Sequence, residues 1–306
     1  MVLLTITRKL LVESRWSLSI SLLAFFGLTL LWNWGLSSYQ FPELETSSNA
    51  QDSDSDSGGL DDEDEDEERR LERRQRRRAQ FYIFFGVPAD QIFGVEWAQT
   101  PTLAMQVAMA NHPLVFLAIL GWGISRASAA VAGEIERGTL DLTLSRPVRR
   151  STYRAAQILT SVLIFLLLGA AITLGHLIAP SFFQLNTPPG LVSYVPMIGS
   201  LTALGLAVFG YTLPFSSGDL SRIRSGLIGL GVTLGGIAGL LFARQYENYD
   251  WVAKLSVFEY YAPVGLTLDP SGEWLTDLAT LGGIFVVGSV VSFLIFLRRD
   301  LPSNSG

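Results

Sequence analysis

The sequence predicts an all-α, polytopic membrane protein with six transmembrane helices and both termini in the cytoplasm. Three observations carry that prediction. Six apolar stretches each come close to the ~20 residues that a helix needs to cross a hydrocarbon core. Only 16% of the 306 residues are charged, whereas soluble domains carry about 25%. Lysine and arginine also gather in alternate connections, the bias that sets membrane orientation. The charge deficit is deeper than the average suggests, because residues 43–78 alone hold 14 of the 28 acids and 7 of the 22 bases. The net charge of −6 is therefore a property of one loop.

The elements follow in order. Residues 1–15 are expected to form an amphipathic cytoplasmic helix leading into the first span, 16–34. Trp32 and Trp34 close that span where amphipathic rings meet the headgroups. Arg8, Lys9 and Arg15 ahead of an apolar core resemble the start of a signal peptide. The core is long, however, and Trp32-Asn33-Trp34 does not match a small-residue cleavage site, so the segment is expected to remain as an anchor.

A long extracytoplasmic loop, 35–112, comes next. Within it the insertion 43–78 passes from Ser/Asp-rich, through the acidic block Asp61–Glu68, to the basic run Arg69–Arg78. Such blocks bury no apolar surface and are expected to be disordered or a solvated helix. Their spacing does not match an EF-hand loop, and no metal site is expected. The second span is 113–133, and a cytoplasmic connection, 134–154, follows it. Spans three to five occupy 155–243, as 155–179, 191–215 and 223–243. Segment 244–277 is rich in Tyr and Trp without a span-length apolar run, and is read as extracytoplasmic and interfacial. The sixth span, 278–297, leaves a cytoplasmic tail, 298–306. With the N-terminus inside, Arg8, Lys9, Arg15, Arg137, Arg146, Arg149, Arg150, Arg154, Arg222, Arg224, Arg298 and Arg299 all fall inside. The short outer loops hold only Arg244 and Lys254.

Several function classes are excluded or disfavoured. The chain has no cysteine and two histidines, His112 and His176, so thiolate metal sites, disulfides and histidine-rich metal chemistry are not expected. Neither of its two lysines, Lys9 and Lys254, follows the glycine-rich phosphate loop of a P-loop ATPase. The spans carry no acidic pair and no Gly-x-Ser-x-Gly elbow. A His176 dyad with Ser200 or Ser216 is the one protease arrangement conceivable. No enzyme activity, cofactor or nucleic-acid partner is expected.

The most informative segment follows the second span. Glu134, Glu136 and Arg137 cannot continue a lipid-exposed helix, so the chain must leave the hydrocarbon here. Gly138 permits a sharp turn. Thr139 and Asp141 stay polar, while Leu140, Leu142 and Leu144 supply an apolar side before Pro147. Charge of both signs beside an apolar side suits docking into a partner's groove; an ordinary connecting loop is the plainer reading. Two further features have paired readings. Gly231, Gly235 and Gly239 place two G-x-x-x-G steps on one helical face, for packing within this chain or for a seam with a second copy. Arg126, near the inner end of the second span, either snorkels or pairs structurally, or lines a polar translocation path.

Residues 134–148, Glu-Ile-Glu-Arg-Gly-Thr-Leu-Asp-Leu-Thr-Leu-Ser-Arg-Pro-Val, resemble the cytoplasmic loop of type-2 ABC transporter permeases. Thr7–Glu13 resembles that family's amphipathic N-terminal helix, and Phe296–Leu301 its exit from the sixth span. In layout the resemblance covers the whole chain; in motif it covers about 30 residues. It departs at Gln157, where many relatives carry lysine, and at the insertion 43–78. The resemblance implies a permease subunit driven by a separate P-loop ATPase that docks on the loop between spans two and three, with export the expected direction. It also implies a second permease copy or a related permease, and residence in the inner, cytoplasmic membrane of a bacterium. The alternative is a non-transporting membrane scaffold that recruits partners through the charged outer loop.

Overall fold

A computed structural model describes residues 2–38, 102–139, 149–183, 190–268 and 273–298. The insertion 43–78 lies outside the described residues. So do Leu140, Asp141, Leu142 and Leu144. Among the described residues every regular element is helical, and six helices are long and apolar enough to cross a membrane.

Helix α1, Val2–Glu13, turns its Thr7 and Leu10 inward and leaves Arg8, Lys9 and Glu13 exposed. Ser14 marks the joint to α2, Arg15–Ser38, the first span; its hydroxyl returns to the Leu10 carbonyl at 3.0 Å. After the long loop, α3, Thr102–Val107, and a 3₁₀ turn, Ala108–Asn111, precede the second span. That turn is wholly buried, although the sequence places it in an outer loop. The second span is α4, Pro113–Ala130. Pro113 opens it, where a missing N–H is harmless. His112 caps it by accepting from the Leu114 N–H at 3.3 Å. Burial holds the His112 pKa below its ordinary value and favours the neutral ring that this acceptor role needs.

A short helix, α5, Ala132–Glu136, follows at an angle break at Val131. The remaining spans are α6, Arg150–Ile178, α7, Val195–Gly218, α8, Arg222–Gln245, and, after two short helices, α11. Those short helices are α9, Asp250–Ala253, and α10, Pro263–Leu268; α11 runs Glu273–Arg298.

Burial separates a core from a rim. In the most apolar stretch of each span, 56% of residues are buried in α6 and 50% in α7, but only 22% in α2 and α8. The central helix α7 packs on α11, α4, α6 and α8, while α2 and α1 lie along α6. The α7–α11 contact is the closest. A Cβ on Gly288 would stand 2.1 Å from the Gly210 carbonyl oxygen, and one on Gly210 would stand 2.6 Å from the Phe285 Cα. Only glycine fits at either position, because the two backbones touch.

The glycines singled out from the sequence behave differently. A Cβ on Gly231 or Gly235 would meet no atom within 4 Å, and on Gly239 only the Val252 side chain at 3.4 Å. Packing of Gly231 and Gly235 against another helix of this chain is therefore not what the described residues show. That face of α8 lies open, flanked by exposed Leu227, Leu230 and Leu234.

The bundle has a basic end and an aromatic end. The first turns of α6 and α8 and the last turn of α11 meet at the basic end, where the Arg150 guanidinium reaches the Phe296 carbonyl. Tyr246, Tyr249, Trp251 and Tyr260 gather at the other, where Arg244 pairs with Glu259.

A candidate coupling elbow and the cavity behind it

The elbow at the basic end is built from the backbone outward. Helix α4 stops at Ala130, and Val131 adopts φ −123° and ψ −57°, outside the helical region. This break frees the N–H groups of Val131 and Ala132. Both donate to the Ser216 hydroxyl, at 3.2 and 3.1 Å, and that hydroxyl donates to the Ser128 carbonyl at 3.0 Å. One buried serine near the end of α7 thus satisfies three backbone groups of a broken helix. Gly138 then reverses the chain at φ +67°, in the left-handed region that disfavours a Cβ.

The charged residues of the elbow close inward. Glu134 is buried; one carboxylate oxygen takes the Arg137 guanidinium at 2.5 Å and the other the Thr139 hydroxyl at 2.6 Å. The Glu136 carboxylate accepts the backbone N–H of Arg222 at 3.2 Å, at the N-terminus of α8. An anion there meets the positive end of the helix dipole and a free N–H donor. Ile135 and, from α1, Ile6 pack against the cluster of Val131, Tyr153 and Phe296. The elbow is consequently tied to α1, α4, α6, α7, α8 and α11. Arg137 and Gly138 remain exposed.

Beside the elbow a second polar cluster joins four spans. Arg154, placed by the sequence in the connection, lies within α6 and is 1% exposed. It donates to the Gln157 side-chain oxygen at 3.0 Å and to the hydroxyls of Ser217 and Ser292, and it lies over the Phe296 ring at 5.2 Å. Gln157 in turn donates to the Ala130 carbonyl, the last residue of α4. The cation is held by neutral acceptors and an aromatic face, and among the described residues it has no carboxylate partner. Gln157 can accept from Arg154 and donate to Ala130 at once, which lysine, a donor only, cannot do.

Behind the elbow, a cavity of about 210 Å³ is lined by Arg126, Arg137, Arg222, Glu13, Glu134 and several hydroxyls. Arg126 makes no hydrogen bond or ion pair among the described residues, and its Nε is buried without a partner. Of the two readings given to Arg126, the structural pair is thus not found among these residues.

A family model of ABC-2 family transporter proteins matches residues 9–301. The chain belongs to that family. It is a membrane permease component of an ABC transporter, a multi-pass membrane protein that partners an ATP-binding subunit. No curated protein sequence matches the chain individually.

At the permease's aromatic end four fully buried polar residues form a chain that sequence reasoning missed. Tyr194 donates to Gln106 at 2.7 Å, Gln106 to Asn33 at 2.9 Å, and Asn33 lies 2.9 Å from the His176 Nδ1. The His176 and Tyr194 rings stack at 5.4 Å. The chain links α2, α3, α6 and the start of the α7 segment. His176 is engaged with Asn33 through Nδ1, its Nε2 and the Ser200 hydroxyl are each buried without a hydrogen-bond partner among the described residues, and Ser216 serves the elbow, so neither serine pairs with His176. Nothing in the local sequence marks these partners, since each is a single polar residue in an apolar run.

Proposed function

We propose that this permease takes its ATPase on residues 134–144 and drives export by alternating access, with both termini and the elbow in the cytoplasm of a bacterium. The observation that carries this reading is the inward closure of the elbow. Glu134 and Glu136 are bonded to Arg137, Thr139 and the start of α8, and Ser216 fixes the break to α7. A push on the segment would therefore be delivered to the ends of several spans at once. On this reading Glu134 and Glu136 shape the elbow and Gly138 sets its turn. Arg137, Thr139 and the following Leu140, Asp141, Leu142 and Leu144 meet the ATPase. The polar cavity that includes Arg126 belongs to the path or its entrance, and the open glycine face of α8 seats a second permease copy or a related permease.

The test is co-purification. With a C-terminal tag and mild solubilisation, a stoichiometric P-loop ATPase should accompany the wild-type chain. Arg137→Glu combined with Leu142→Asp should lose it, while deletion of residues 47–78 should retain it. If no ATPase appears under conditions that preserve other complexes, or if only the loop deletion loses a partner, the docking assignment fails and recruitment through the outer loop takes its place.

A further inference from the structure

The cavity behind the elbow has an unbalanced charge inventory. Of its ionisable lining groups, Glu134 is taken by Arg137, and Glu13 faces Lys9 at 3.6 Å. Arg126 is left with no bonded carboxylate among the described residues, and the carboxylate that Arg222 meets, Glu136, is held by its backbone N–H. Arg222 gives one side-chain N–H to the Ser125 hydroxyl at 3.2 Å, and Arg126 gives none to any described residue. The Arg126 guanidinium lies within electrostatic reach of the Glu13 and Glu134 carboxylates and, more weakly, of the Arg222 guanidinium. Arginines outnumber carboxylates in that lining by three to two, and the planar fork of arginine suits phosphate oxygens above other acceptors.

Size and position narrow the ligand. A water molecule's share of liquid is about 30 Å³, so a volume of about 210 Å³ has room for a phosphate group and the linkage it carries. Hydroxyls of Ser17, Ser125 and Ser161 line the same space; those of Ser17 and Ser161 already donate to the Ser14 and Gln157 carbonyls, which leaves the Ser125 proton for a phosphate oxygen. Leu10, Glu13, Ser14 and Ser17 bring the joint of α1 and α2 to the cavity, and elsewhere on their surface those two helices expose Leu4, Val12, Trp16 and Ile20, apolar groups suited to acyl chains.

We propose that this cavity binds a phosphate-bearing headgroup, clamped between Arg126 and Arg222, with an anionic phospholipid as its source. The assignment concerns the space behind the elbow and stands apart from ATPase docking, which its test does not use.

The experiment is thermal unfolding of the purified full chain in maltoside micelles, with phosphatidylglycerol, phosphatidylcholine or inorganic phosphate added. Phosphatidylglycerol should raise the Tm and phosphatidylcholine should not. Loss of one charge-assisted contact, in Arg126→Gln or Arg222→Gln, should raise the half-saturating phosphatidylglycerol concentration about tenfold. Arg224→Gln, at an exposed cation two residues away, should change nothing. Ser125→Asp guards against variants that simply fail to fold. It supplies a carboxylate beside Arg222, so it should match or exceed the wild-type Tm without lipid and lose the phosphatidylglycerol response. If inorganic phosphate alone reproduces the arginine-dependent shift, the clamp stands and its source is a soluble phosphate compound. An equal response to phosphatidylcholine, equal weakening in Arg224→Gln, or a folded Ser125→Asp that still responds as wild type would overturn the proposal.

Discussion

Arg154 shows how much a single side chain can be asked to hold in this permease. It is fully buried, and its acceptors are an amide oxygen and two hydroxyls rather than a carboxylate. Such a site tolerates one cation and no more. Gln157→Lys would put a second cation beside it in low dielectric. We expect that variant to lose about 3 kcal/mol of stability, the cost typical of an uncompensated buried charge. Arg154→Leu in the same chain should restore most of the loss, and a double-mutant cycle of thermal unfolding measures the coupling. The sequence reading noted Gln157 as a departure but had no partner for it. The partner is three residues away in sequence, yet its role depends on Ser217 and Ser292 from two other spans.

The elbow is the element on which coupling would turn. Ser216→Ala removes the acceptor for two buried N–H groups and the donor to Ser128, so it should destabilise the permease by about 1–3 kcal/mol. If the ATPase docks as proposed, Ser216 lies behind that surface, and the variant should retain its ATPase on co-purification while transport-linked ATP hydrolysis falls. Loss of both would place Ser216 in the docking surface instead. Glycines separate in the same way by element. Gly288→Ala must force α7 and α11 apart, an overpacking that costs about 1–3 kcal/mol, whereas Gly231→Ala should leave the Tm of the single chain in detergent unchanged. The G-x-x-x-G pattern pointed to the open face of α8, and the closest backbone contact sits at Gly210 and Gly288, which share no motif. Pattern detects a small-residue stripe on one helix; a contact needs the facing helix as well.

Across the whole molecule, the natural absence of cysteine makes topology directly measurable. In intact cells, Lys254→Cys at the aromatic end should react with a membrane-impermeant maleimide, and Arg224→Cys at the basic end only after permeabilisation. The opposite pattern would turn the elbow outward and end the docking proposal. The all-α class and the number of spans were legible without coordinates, because hydropathy summed over a helix length reports solvent preference and needs no knowledge of neighbours. The sequence placed the end of the second span at 133, ahead of Glu134, Glu136 and Arg137, whereas the helix breaks at Val131, inside that expected span. What those charged groups do inside the fold was not legible. Glu136 meets the N-terminus of α8, 86 residues on; Val131 meets Ser216, 85 residues on; and Arg154 meets Ser292, 138 residues on. Each of these bonds joins residues that only helix packing brings together, so the chain's chemistry dictated where it would cross the membrane, and the packing of α4, α6, α7, α8 and α11 decided which polar groups would face one another.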